Sequence, residues 1–401
     1  MFFKETNIFP SADQNNYRIP SLVVTNDGTV LAFCSNRIGT RNDHAEEIAL
    51  VCAIKKPGEP WSEIRTLAHL TGWRCNIGSA VYDHNANRVI VFYNRTPIAQ
   101  KEFHNYTAQE LEQIQKHNKE KNELAAKQGI TVGLRRLVSD DNFETYIDEP
   151  HQVTPTLQTH WDGTRALVSG NTHGCEHGIC LRHGKHSGRL LCPSRTYIGQ
   201  YHDWEQIKSC AYNNAIYSDD HGKTWKASQC VQLGTGEGAL IERADSSILY
   251  NSRAYFRDGK RYLAESFDGG ETYENFTTDD FLLEEKRMGC NASLLRLERS
   301  DFSDASALPK DTQDLVVFCN PRAEKRERMT ACISFDSGLH FYEGPVIFDG
   351  PAAYSSLNYD KHTGHFFLLY EKGDVQNGTS PYTLGLSMAE FDLPWLLQNI
   401  F

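Results

Sequence analysis

The chain has 401 residues, a net charge of −11 and a sequence pI near 5.8. An acidic surface of this kind excludes general binding to nucleic acid or to anionic membranes, whose phosphates it repels, but a local concentration of cations can still hold a small anion. No apolar run is long enough for a membrane helix, and the length suffices for one large core, so a single domain over 1–401 is expected.

Eleven cysteines are present, an odd number, and none stands in a C-x-x-C pair. Cys34, Cys52, Cys319 and Cys332 fall inside apolar strand-like runs, where a thiol behaves as a small buried hydrophobe. The opening "MFFKETNIFPSADQ" lacks the apolar core of a secretory leader. These features predict a reducing, cytoplasmic compartment.

The first predicted element is the hairpin "RIPSLVVTNDGTVLAFCSNR", with a strong turn signal at Asn26-Asp27-Gly28. Arg18 opens its first strand and Arg37 closes its second, at equal distances from the turn, so the two guanidiniums are expected side by side at the open end. A guanidinium stays protonated and is costly to bury alone; Arg18 therefore either reaches solvent or belongs to a charged site. "NRIGTRNDHAEE", containing Asp43, and "WRCNIGSA", containing Asn76, follow. Helical periodicity is confined to "TAQELEQIQKHNKEKNELAAKQG", where Thr107 and Glu110 form a capping box and Gly129 is the stop. Charged on most faces, this segment of about residues 107–128 reads as a solvated insert.

The rest of the chain is short strands separated by Gly, Asn and Asp turns, and one turn recurs. "SDDHGKTW" begins at Ser218, "SFDGGETY" at Ser266 and "SFDSGLHF" at Ser334, with a worn copy, "SDDNFETY", at Ser139. In each, Ser and Asp can bond the turn's own backbone, Gly supplies the positive φ, and the aromatic closes back on the sheet. Equivalent turns after equivalent strands predict an all-β fold, a β-propeller of about six four-stranded blades. Among the repeats, "NTHGCEHGICLRHGKHSGRLLC" collects four His and three Cys. Its spacings fit neither C-x2-C nor H-E-x-x-H, so no metal is expected, and His177 and His183 are read as rim residues bonding loop backbone.

Two later hairpins repeat the geometry of the first. "EGALIERADSSILYNSR" makes Glu237 and Arg253 cross-strand neighbours opposite its turn, and "YSSLNYDKHTGHFFLLYE" does the same for Tyr354 and Glu371. Just before the last repeat, "NPRAEKRERMTACISFDSG" offers Arg322, Arg326 and Arg328. Three hairpins that project charged or phenolic pairs from the same end point to one shared site.

"YRIP" followed by these turns resembles the retaining exo-sialidases (neuraminidases), six-bladed propellers whose repeated turns are called Asp boxes. The resemblance runs from Arg18 to Glu371, and the length is similar to that of the single-domain cytosolic members. It implies that Arg18, Arg253 and Arg326 clamp the substrate carboxylate, with Glu371 holding Arg18. It further implies that Tyr354 is the nucleophile, Glu237 its base and Asp43 the general acid, that Arg37 touches the substrate rim, and that Asn76 contacts the ligand or supports the site. Asn42 competes with Asp43 for the acid position; Asp43 is preferred because its carboxyl pKa can rise as the site closes, whereas an amide has no proton to give. A tyrosine nucleophile suits a sugar acid, since an attacking carboxylate would approach against the substrate's own carboxylate, and a neutral phenol does not. The implied partner is a sialylated glycoconjugate, with no cofactor and no metal. Deaminated sialic acid and Kdo-type sugars present the same carboxylate and anomeric centre, and a non-catalytic sialic-acid-binding propeller would need only the arginines; both alternatives stay open at this point.

Overall fold

In the computed structural model of the protein, residues 1–43, 45–97, 107–199, 205–376 and 380–400 are described. The architecture is all-β, apart from the helix Ala108–Lys127, a terminal turn of helix at Leu393–Leu396 and three short 3-10 turns. The helix opens as expected, with a capping box between Thr107 and Glu110. Among the described residues, no helix is long and apolar enough to cross a membrane.

The strands form sheets of seven, two, four, four and eight members, paired almost throughout as antiparallel neighbours. A single parallel bridge, Ile48 to Arg74, joins two runs of strands into the eight-stranded sheet. The seven-stranded sheet is held together by the 19-residue strand Tyr342–Asp360. Its first half pairs with Glu327–Ser334 and its second half with His365–Lys372. The N-terminal strand Phe3–Pro10 completes the same sheet against Gly385–Asp392, so the two ends of the chain are zipped together.

Six strands make a cycle of neighbours: Asn15–Val24, Arg74–Asp83, Ile179–Cys180, Thr235–Glu242, Ser293–Glu298 and Tyr342–Asp360, the last of which lies against the first. Strands placed this way are covered on both faces and lose the alternation of a half-exposed strand; Arg74–Asp83 and Thr235–Glu242 are buried at every position. Polar residues therefore reach the interior, and each needs a partner.

The four repeated turns share one pattern. Ser218 Oγ accepts the Gly222 N–H at 2.9 Å, while Asp220 accepts the Thr224 N–H and hydroxyl at 2.8 and 2.7 Å. Ser266, Asp268, Gly270 and Thr272 repeat it, and in the copy at Ser334 His340 replaces the threonine. The worn copy keeps Ser139, Asp141 and Thr145, although Phe143 takes the glycine's place at φ 64°. Its ring is fully buried against Phe33, centroids 5.1 Å apart, which offsets the backbone strain.

The register of the first hairpin differs from expectation. Arg18 pairs with Ser35 and Arg37 with Asn16, rather than with each other. Ile19 takes φ 62° ahead of Pro20, which has no N–H for the ladder, and the irregularity there shifts the open end of the hairpin.

Candidate active site

The bulge at Ile19 turns Arg18 inward, where it is 4% exposed. Its Nε and Nη2 donate to Glu371 Oε1 and Oε2 at 2.8 and 3.2 Å. Glu371 is fully buried and also accepts the N–H groups of Ile19 and Tyr354 at 3.0 and 3.2 Å. A two-pronged ion pair with its remaining lone pairs satisfied is the condition under which a buried guanidinium is tolerated.

Tyr354 stands at the centre. Its hydroxyl donates to Glu237 Oε1 at 2.8 Å and accepts from Arg253 Nη1 at 2.7 Å. Arg253 also donates to Glu237 Oε2 at 2.5 Å and to the Met288 carbonyl at 2.8 Å. The guanidinium carbons of Arg18, Arg253 and Arg326 lie 5.8, 5.9 and 5.4 Å from the centre of the Tyr354 ring. Of the three arginines near residue 325, Arg326 is the one in the site, donating to Tyr382 Oη at 2.7 Å and to the Gly289 carbonyl at 2.9 Å. Arg322 and Arg328 turn instead to Glu343.

The protonation states follow from these surroundings. Burial pushes the Tyr354 phenol well above its ordinary pKa; Arg253 opposes that and Glu237 adds to it, so the hydroxyl keeps its proton. Burial would raise Glu237 too, but Arg253, Arg195 and the phenolic hydrogen bond outweigh it and hold the carboxyl below its ordinary value. A protonated phenol bonded to an ionised carboxylate is an acid already in contact with its base.

Asp43 sits at the mouth with 61% of its side chain exposed, its Oδ1 2.7 Å from Arg37 Nη1 and 3.1 Å from Arg18 Nη1. Arg74 Nη2 donates to the Asp43 carbonyl at 2.7 Å, tying down the loop. The two guanidiniums expected side by side thus do meet, through Asp43 and not across the ladder. The surrounding protein partly desolvates Asp43 and opposes its ionisation, but Arg37, Arg18 and Arg326 together hold the carboxyl far below its ordinary range. With the site open, the loop lays Asp43 on these cations; the upward shift expected of it belongs to the closed, substrate-bound site. Asn42 is exposed, and its N–H bonds Thr40 Oγ1 at 3.2 Å.

Asn76 lies buried in Arg74–Asp83 opposite Asn94 and, among the described residues, makes no hydrogen bond to this cluster. His177 does bond backbone, with its ring nitrogens 2.9 Å from the carbonyls of Gly178 and Leu357, but it is 4% exposed and not at a rim. It stands two residues before the strand Ile179–Cys180 and reaches across to Tyr342–Asp360 through the Leu357 carbonyl. His183 contacts a side chain, Glu298, at 2.5 Å. Among the described residues no three His, Cys, Asp or Glu side chains are grouped to hold a metal.

Two site residues escaped the sequence reading. Arg195 reaches Glu237 Oε1 at 3.3 Å from the strand Leu190–Tyr197. A signal existed, since Arg37, Arg195 and Arg253 all lie toward the end of the second strand of their runs. Tyr382, whose ring centre is 3.6 Å from the Arg18 guanidinium carbon, lies in a loop with no local pattern to mark it.

The profile of the BNR repeat-like domain family matches residues 28–368. The chain is 33% identical over 220 residues to a sialidase of Micromonospora viridifaciens, a match covering 55% of this chain but only 30% of that relative's length. It is 24% identical over 393 residues to a sialidase of Paraclostridium sordellii, covering 93% of this chain and 87% of the relative. Among solved structures, the intramolecular trans-sialidase from Ruminococcus gnavus shares the fold with a TM-score of 0.66 at 16% identity, covering 97% of each chain. With the family profile spanning most of its length, the chain belongs to the BNR repeat-like domain family.

Proposed function

We propose that this protein is a retaining exo-α-sialidase, a glycoside hydrolase that releases terminal sialic acids from glycoconjugates. The observation that carries the reading is the Tyr354 hydroxyl bonded to Glu237 while Arg18, Arg253 and Arg326 surround the same ring. A sugar acid needs such a site, with cationic forks for its carboxylate and an uncharged nucleophile for the adjacent anomeric carbon. The scaffold we propose is a single-domain six-bladed propeller, supported by the cycle of six neighbouring strands and the repeated turns.

On this reading the substrate carboxylate takes the outer donors of the three arginines. Tyr354 Oη bonds to the anomeric carbon as the bond to the leaving oxygen breaks, and Glu237 takes the phenolic proton. The substrate carboxylate on Arg18 sets a negative charge beside Asp43 and offsets one of its cations, so Asp43 takes up a proton from solvent as the substrate binds and then gives that proton to the leaving oxygen. In the second step Asp43 draws a proton from water, the water oxygen attacks the anomeric carbon, and Glu237 returns the proton to the departing phenolate. Two displacements at one centre give retention. Arg37 orients Asp43 and meets the substrate edge, while Glu371 keeps Arg18 aimed. Asn76 takes a supporting place in the wall.

The test is turnover of a fluorogenic sialoside and its deaminated analogue by the wild type, Tyr354→Phe and Glu237→Gln. The wild type releases sialic acid with the α anomer formed first, and each variant loses about a thousandfold or more in kcat. Ordinary turnover by Tyr354→Phe would overturn the mechanism, preference for the deaminated analogue would reassign the sugar, and binding without turnover by the wild type would make the protein a lectin.

A further inference from the structure

We infer that Arg195 is a positioning residue for Glu237, holding the oxygen that takes the phenolic proton; this rests on the reading of Glu237 as the base. Arg195 Nη1 lies 3.3 Å from Glu237 Oε1, the oxygen that accepts from Tyr354, while Arg253 Nη1 holds Oε2 at 2.5 Å. One guanidinium thus faces each carboxylate oxygen, and rotation of the carboxylate breaks both contacts. The third side is backbone. Gly174 stands at φ +75°, and a Cβ there would lie 2.6 Å from Glu237 Oε1, so glycine lets the loop close against the carboxylate. The Arg195 side chain is 18% exposed, and among the described residues its buried Nε has no hydrogen-bond partner, so the side chain is committed to this neighbourhood rather than to solvent.

Among the described residues, the other titratable groups around Glu237 are Tyr354, Tyr255, His173, Cys175 and Cys290. Burial, aided by Arg195, drives His173 down to about 4, and burial pushes Cys175 and Cys290 up to about 12, so near neutral pH all three are uncharged. Burial likewise raises Tyr354 and Tyr255 above the ordinary phenol value. Among the described residues, Arg253 and Arg195 are then the two cations in contact with the base. Arg253 is tied to Tyr354 and the substrate, which leaves Arg195 to set how acidic a medium Glu237 can work in. A cation at the accepting oxygen favours the ionised carboxylate, so its removal moves the acidic limit of activity to higher pH.

The experiment uses full-length wild type, Arg195→Met, Arg195→Lys and, for assignment, Glu237→Gln. The pH dependence of kcat on a fluorogenic sialoside is measured beside the titration of carboxyl-13C-glutamate by NMR, with the Glu237 resonance identified by its loss in Glu237→Gln. In Arg195→Met both midpoints rise by about one pH unit, and Arg195→Lys returns them toward wild type. An unchanged Glu237 midpoint in Arg195→Met that melts like wild type overturns the inference, as does an equal shift in Arg195→Lys. A wild type without turnover would defeat the proposed function, while the NMR midpoints would still decide whether Arg195 acts on Glu237.

Discussion

Glu371 shows how much one residue holds. It accepts from two nitrogens of Arg18 and from two backbone N–H groups on different strands, with no exposure to water. Glu371→Ala leaves the buried Arg18 guanidinium with Asp43 at the mouth as its remaining carboxylate and strands two backbone N–H groups, so urea unfolding followed by circular dichroism should show a loss of about 3–5 kcal/mol. At this scale the sequence was informative because residues equidistant from a hairpin turn lie near one another: Glu237 with Arg253, and Tyr354 with Glu371. It could not foresee the ionised state of Asp43, which depends on guanidiniums supplied from the strands that carry Arg18 and Arg37 and, far along the chain, from Arg326.

At the scale of elements, local bonding decides what is legible. The repeated turn closes on itself within a few residues, with Asp220 bonded to Ser218 Oγ at 2.8 Å and to both polar groups of Thr224. Asp220→Ala removes the acceptor and should cost about 1–3 kcal/mol in the same unfolding assay, with the site chemistry untouched. The helix was readable for the same reason, its capping box being contained in Thr107 to Glu110. The register of Asn15–Val24 against Val30–Ile38 was not, because the bulge at Ile19 and Pro20 displaces the pairing that the turn alone would set, and it places Arg18 and the Ile19 N–H on Glu371, 352 positions away.

At the scale of the whole molecule, Phe3–Pro10 pairs with Gly385–Asp392 and Tyr342–Asp360 lies against Asn15–Val24, a closure between the two ends of the described chain. All eleven cysteines are free thiols, and all are buried. If the closure is cooperative, a small disulfide reagent such as DTNB should find almost no reactive thiol in the native protein and eleven after denaturation. Several thiols reacting quickly under native conditions would mean that part of the fold opens by itself.

The amino-acid order carried everything that depends on neighbours along the chain: the all-β character, the recurring turns, the long helix, and the hairpin ends on which Arg18, Arg253, Tyr354, Glu237 and Glu371 are mounted. Contacts between distant segments supplied the rest. Tyr382 lies over Arg18 across 364 positions, Arg195 reaches Glu237 from another sheet, and Arg326 rather than Arg322 or Arg328 turns inward. A guanidinium can reach several directions from a strand end, and the choice among them is set by which carboxylate or carbonyl the folded neighbours place within hydrogen-bonding distance.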